Sequence, residues 1–165
     1  MAHTRTGDGF ATHLDGTAAA LAVLEKRVGR RVNAVRRMRY VHRGAVVDDH
    51  GVLELNFSDQ VTLCLDAGHD GEKLAVRHGS WIDPFVEPLC EENREVVRTS
   101  GKWTAFDIAE DDELWQIVGR TLEGVEPIWG YAHKLVGVRL DVGASTLVAR
   151  AVADELWLTW EPVGG

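Results

Sequence analysis

Residues 51–66 read Gly51-Val52-Leu53-Glu54-Leu55-Asn56-Phe57-Ser58-Asp59-Gln60-Val61-Thr62-Leu63-Cys64-Leu65-Asp66, and this stretch decides the fold. Leu53, Leu55 and Phe57 alternate with Glu54 and Asn56. After a short polar break, Val61, Leu63 and Leu65 alternate with Thr62 and Cys64. Period-two alternation on both sides of a turn is the mark of an antiparallel hairpin with one face toward a core. Leu74 and Val76 continue the pattern as a further strand. A parallel crossover needs about a dozen residues or more, and these turns are too short to supply one. The sheet is therefore expected to be mostly antiparallel.

Working outward, the same order of elements occurs twice. Leu14, Ala18, Leu21, Leu24 and Val28 fall at helical spacing, followed by Gly29 and then by Val32 and Val35, where a strand can begin. About ninety residues later Leu114, Ile117, Val118, Thr121 and Leu122 trace a second helical face, followed by Gly124 and then by Val125 and Ile128. Alternation returns at Val138, Leu140 and Val142, at Leu147, Ala149 and Ala151, and at Leu156, Leu158 and Trp160. The expected class is α+β, with antiparallel meander sheets and two amphipathic helices. The halves, residues 13–80 and 107–161, read either as a duplicated helix-plus-meander unit or as a coincidence of such a chain.

At 165 residues and 45% hydrophobic content the chain can bury one sizeable core, so a single domain over residues 1–165 is expected, with residues 1–12 flexible. No segment approaches the roughly 18 consecutive apolar residues of a membrane span, and the opening Met1 to His13 lacks the apolar run of a secretion signal. Both readings point to the cytoplasm. Cys64 and Cys90 are too few and too unpatterned for a disulfide framework or a zinc site. Arginine, far more abundant than lysine, together with frequent Ala, Val and Gly, points to a GC-rich bacterial source.

Charge is distributed unevenly. Lys26, Arg27, Arg30, Arg31, Arg36, Arg37, Arg39 and Arg43 crowd one stretch with no acid among them, whereas acids dominate residues 83–126, and the whole chain nets −8. Non-specific nucleic-acid binding needs a surplus of cations, so this balance argues against it. Arg36, Arg37 and Arg39 could still hold an anion locally, or could lie on the wet face of a strand and pair with the acidic segment. Asp107, Glu110, Asp111, Asp112 and Glu113 sit where the second helix should begin, and Asp111 or Asp112 suits an N-cap. The remaining acids suit docking of a basic protein partner.

Trp81, Trp103, Trp115, Trp129, Trp157 and Trp160 are the next signal. Four of the six are expected to fill the core. Trp157 and Trp160 should face opposite sides of a regular strand, leaving one of them, with Trp157 the choice, for partner contact. Trp81, Trp129 and Tyr131 could line a pocket for a small organic molecule.

Chemistry is harder to place. No G-x-S-x-G, G-x-x-x-x-G-K-S/T, G-x-G-x-x-G, C-x-x-C or H-E-x-x-H pattern occurs. Asp48, Asp49 and His50 could share a metal with His69 and Asp70 if neighbouring hairpin ends met, although Asp, His and Gly also populate turns for backbone reasons. His3 and His13 lie in the N-terminal segment, and His42 and His78 end strands. No catalytic residue, metal or cofactor is assigned. In the middle of the chain, Asp83-Pro84 reads as the start of an acidic helix over residues 83–94, and Arg98 to Lys102 as a turn between Val96-Val97 and a strand from Trp103 to Phe106.

Gly51 to Asp59, together with Asp154-Glu155-Leu156-Trp157-Leu158, resembles the meanders of small bacterial immunity-type proteins. The resemblance covers roughly residues 28–80 and 117–161. It implies a cytoplasmic factor that neutralises a toxin by tight binding without chemistry, and it carries no functional residue over. The leading expectation is thus a non-catalytic binding protein. The alternative is a small enzyme or ligand-binding protein holding an organic molecule between sheet and helices.

Overall fold

The structure, a computed structural model, describes residues 16–162. Leu14, His3, His13 and the segment 1–12 lie outside the described residues. The chain begins with helix α1 (Thr17–Glu25), an Ala- and Leu-rich segment of high helix propensity that buries Ala20 and Leu24. Gly29, at φ +90°, turns the chain into the first strand.

Strand β1 (Val32–His42) hairpins into β2 (Ala45–Asp48), and β3 (Leu53–Phe57) follows. Arg36 pairs with both Glu54 and Asp107, and Tyr40 with both Asp48 and Trp103. A strand has only two edges, so β2 and β3 share one edge of β1 and form a single return strand interrupted at residues 49–52. Met38 N–H donates to Val52 O across that interruption. β4 (Thr62–Ala67) and β5 (Leu74–His78) extend the sheet, while β6 (Lys102–Asp107) pairs with the other edge of β1. The second sheet is the antiparallel meander β7 (Leu122–Trp129), β8 (Leu135–Val142), β9 (Ser145–Val152) and β10 (Glu155–Glu161). The class is α+β, with antiparallel sheets and, among the described residues, two α-helices.

One apolar core joins the two sheets. It takes Leu53, Leu55, Phe57, Leu63 and Leu65 from the first and Val138, Leu140, Leu147, Ala149 and Leu156 from the second. Leu24 of α1 and Leu114 and Ile117 of a 3₁₀ turn (Glu113–Ile117) complete it.

At the seam between the sheets, Gly29 N–H donates to Leu122 O at 2.7 Å and Gly119 N–H to Val32 O at 2.7 Å. Val32 N–H donates to Arg120 O at 2.8 Å and Leu122 N–H to Arg30 O at 2.9 Å. Exchanging each residue for the one ninety positions away maps this set of bonds onto itself, with the Arg31 and Thr121 bridge at its centre. The seam has internal twofold symmetry, with a helical element before each glycine and a meander after it.

Several expectations need correction. The second helical face, Leu114 to Leu122, is a 3₁₀ turn that stops at Ile117. Gly119 then adopts φ +80° and residues 120–122 join the seam, so Leu122 is strand and Gly124 sits inside β7 at a register shift rather than closing a helix. The acidic helix expected at 83–94 is displaced. Residues 79–90 are irregular, and α2 (Glu91–Ser100) starts where the Cys90 thiol accepts from Asn93 N–H. Val96 and Val97 therefore belong to a helix, not a hairpin strand. Helix α2 buries no residue. The segment leading into it lies on the outer face of the first sheet, where Met38, Val52 and Cys64 form a small second cluster with Trp81 and with Ala105 of β6.

The expectation of four core tryptophans is overturned. None of the six is buried, and Phe57 is the one fully buried aromatic ring among the described residues. Leu and Val from the alternating strands already fill the space between the sheets.

Candidate functional site

Strand parity places the arginines of β1. Val35 is buried in the core, so Arg37 and Arg39 share its side, while Arg36 and Met38 face the other way. The reading of all three on a wet face is therefore corrected. On the outer side, Arg36 makes a bidentate pair with the buried Glu54, both bonds 2.8 Å, and Glu54 also accepts Trp81 N–H at 2.7 Å. Glu54 thus ties the covering segment to the sheet.

On the inner side, Arg37 is only 4% exposed. Its Nε donates to Asp49 O at 2.9 Å and its Nη2 to Leu156 O at 2.5 Å, so one edge of the guanidinium is satisfied by backbone carbonyls. Nη1 is shut off from solvent and has no acceptor among the described residues. Burial pushes the pKa of Arg37 down to about 10, against the pull of Asp49. Arg39 Nη2 pairs with Asp112 Oδ2 at 2.7 Å, and its guanidinium lies 5.3 Å from the centre of the Phe106 ring.

Asp112 has two duties, since its Oδ1 also accepts Leu114 N–H at 2.9 Å and caps the 3₁₀ turn. The expected capping role is met there. Glu113 Oε2 accepts Trp160 Nε1–H at 3.1 Å. Between these groups lies a cleft of about 280 Å³, lined by Arg37, Arg39, Asp49, His50, Asp112 and Glu113, with Leu114, Leu158 and Trp160 as its apolar wall. Two arginines and two acids from segments that looked opposed in the sequence meet in one place.

His50 stands at the edge of this cleft. Its Nδ1 is 3.2 Å from Asp48 Oδ1, 3.2 Å from Asp49 Oδ1 and 3.6 Å from Glu155 Oε2, and its ring stacks on Trp157 with centroids 4.0 Å apart. Asp48, His50 and Glu155 offer ligand atoms within 4.8 Å of one another, a set that could hold a divalent cation. The hairpin ends that meet are those of β2 and β10. Asp70 instead lies 3.5 Å from Lys134 and accepts from the backbone of Glu72 and Lys73, which holds its carboxyl below the usual range.

Trp81 lines a second cavity of about 380 Å³ with Trp103, His50, His69, Asp66, Arg77 and Asp154. Trp129 and Tyr131 are not among its walls. Trp129 stacks on His133 at 4.3 Å, and Tyr131 is 93% exposed. Asp107, Glu110 and Asp111 are exposed ahead of the 3₁₀ turn, with Trp115 40% and Trp157 44% exposed. Trp157 and Trp160 do face opposite ways, the second into the cleft.

The sequence reading missed Glu155 and Trp160, the central place of His50 and the burial of Arg37. The signal for Arg37 was present in Val35-x-Arg37-x-Arg39, where parity with a core valine places the arginines inward. Chemically, the cleft offers fixed donors and acceptors suited to recognising a charged group. Cys64 is no activated nucleophile, because burial pushes its thiol up to about 12. Compared with protein-family models, curated proteins and solved structures, the chain matches none.

Proposed function

We propose that the protein is a non-catalytic binding module, an immunity-like factor that captures a basic protein partner through an acidic, tryptophan-bearing face. The observation that carries this reading is that none of the six tryptophans is buried and four of them, Trp103, Trp115, Trp129 and Trp157, are exposed. An exposed tryptophan leaves a large apolar ring in water, and tryptophan is the residue type most enriched at binding hot spots. Trp115 lies within the 3₁₀ turn next to Asp111 and Glu113, and Trp157 lies against His50 among Asp48, Asp49 and Glu155. Acids around such rings suit lysine- and arginine-rich surfaces, whose approach they speed and whose side chains can also pack on the rings.

The test is native mass spectrometry of the protein purified from its own host, followed by binding measurements on the isolated pair. A stoichiometric basic protein should co-purify. Its association should slow with rising salt, and reversing Glu110 and Asp111 to lysine should slow it further. A bound small molecule with no protein partner would overturn the reading.

A further inference from the structure

We propose that Asp48, His50 and Glu155 bind a divalent first-row transition ion such as zinc, which ties the end of β2 in the first sheet to the start of β10 in the second. The inference goes beyond partner docking and does not depend on it. His50 Nδ1 stands 3.2 Å from Asp48 Oδ1, 3.2 Å from Asp49 Oδ1 and 3.6 Å from Glu155 Oε2. An imidazole nitrogen carries at most one proton, so it can serve one of these oxygens well and not all of them. Asp48 Oδ1 already accepts the backbone N–H of His50 at 2.8 Å. Among the described residues, no Lys or Arg side chain pairs with any of the three carboxylates. Negative charge is thus in excess around one nitrogen, and a small cation seated among these groups offsets it.

Spacing and donor chemistry narrow the ion. Zinc bonds nitrogen and oxygen ligands at about 2.1 Å, so neighbouring ligand atoms of a tetrahedral ion stand about 3.4 Å apart. The separations from Nδ1 bracket that value, and the ligand atoms of Asp48, His50 and Glu155 all lie within 4.8 Å of one another. Imidazole suits zinc and cobalt, whereas calcium and magnesium take oxygen ligands. The side chains of Asp48, His50 and Glu155 are 29%, 29% and 36% exposed and line a hollow of about 430 Å³ open to solvent, so an ion and its remaining waters can reach them.

The frame around the ligands is set by bonds that the ligand side chains do not make. Leu156 N–H donates to His50 O at 2.9 Å, and the buried Arg37 donates to both Asp49 O and Leu156 O. One guanidinium therefore holds the chain beside His50 against the chain beside Glu155, which gives its costly burial a use. The Trp157 ring, stacked on the imidazole with centroids 4.0 Å apart, sets the plane of His50. Outer groups of this kind orient the ligands of metal sites.

The experiment is isothermal titration calorimetry of the full chain, stripped of metal with a chelator and dialysed, with zinc, calcium and magnesium chlorides as separate probes. Zinc should fill one tight site per chain and raise the melting temperature, as a ligand of the folded state does. Calcium and magnesium should each bind at least tenfold more weakly. His50→Ala and Glu155→Gln, checked for folding by circular dichroism, should each lose zinc binding at least tenfold, whereas Cys90→Ser, which removes the exposed thiol, should keep it. Absence of zinc binding to the wild-type chain overturns the proposal without use of a variant. Calcium binding as tight as that of zinc, or an unaltered zinc affinity in a folded His50→Ala protein, overturns it as well. None of these readouts involves a protein partner, so failure here leaves the docking reading to its own test.

Discussion

Arg31 faces Thr121 across an isolated antiparallel bridge, and the backbone bonds on either side of it are preserved when the two halves of the chain are exchanged. Each half enters this seam through a glycine with a left-handed backbone, φ +90° at Gly29 and +80° at Gly119, and neither would meet another atom within 4 Å of an added Cβ. The glycines are therefore needed for conformation and not for space. Gly29→Ala and Gly119→Ala should each destabilise by about 1–2 kcal/mol and by similar amounts, as strain at positive φ does. Urea denaturation of the two variants measures this. A large cost at one site with none at the other would mean that the seam is not energetically symmetric.

Glu54 should be the most sensitive acid in the chain. It is 6% exposed, holds Arg36 by two bonds and receives Trp81 N–H. Glu54→Ala leaves a half-buried guanidinium and a backbone donor unmet, at a cost of about 3 kcal/mol. Limited proteolysis should then cut first within residues 79–90, the segment that Glu54 tethers. A variant with unchanged stability would show that this pair is dispensable.

Asp111 and Asp112 are neighbours with different duties. Asp112→Ala removes a cap and the partner of Arg39 and should cost about 1–2 kcal/mol. Asp111→Ala should lie within about 0.5 kcal/mol of wild type, as exposed sites do. Charge reversal for partner binding is therefore informative at Glu110 and Asp111, whereas at position 112 it would confound docking with folding. Thermal melts of the two alanine variants separate the cases.

Cys64 gives the stability a defined dependence at alkaline pH. Burial raises its thiol from 9.0 to about 12, so above pH 9 the unfolded chain ionises while the folded one does not. The contribution is whole below pH 9 and is lost as pH rises toward 12. Relative to Cys64→Ala, the wild type should lose about 1 kcal/mol between pH 8 and pH 10, since each pKa unit is worth about 1.4 kcal/mol. The same burial predicts that a thiol reagent at pH 8 labels the exposed Cys90 rapidly and Cys64 only on unfolding.

The strands were legible because period-two alternation sets parity directly. Leu53, Leu55 and Phe57 announce their face, and the observed pairings of β3 with β4 and of β8 with β9 agree with it. Helical spacing was a weaker guide. Leu114, Ile117 and Val118 fit a helix as well as Leu21, Leu24 and Val28 do, but backbone pairing with residues 30–32 takes over after Gly119, a tertiary demand that local spacing does not encode. Helix α2 was expected too early, at 83–94, because Asp83-Pro84 has the form of a helix start, whereas Asp83 Oδ1 accepts Phe85 N–H within an irregular segment and the helix begins only at Glu91. The tryptophans were misplaced because core filling is decided by competition, and the aliphatic residues had already won it. The cleft was half legible. Its arginines and acids stood out by charge, but their meeting, and the arrival of Trp160 and Leu156, depend on how two sheets pack.

The bond from Arg37 to Leu156 spans 119 positions of the chain. Synthesis runs from the N-terminus, so β1 emerges with its guanidinium long before β10 exists to receive it. Until β10 has been made, the guanidinium of Arg37 lacks the Leu156 carbonyl that receives it in the folded chain. The cleft is thus completed only once β10 has been made. A chain cut short before residue 155 could still build its first sheet, but it would carry an arginine in water where the finished protein has a site.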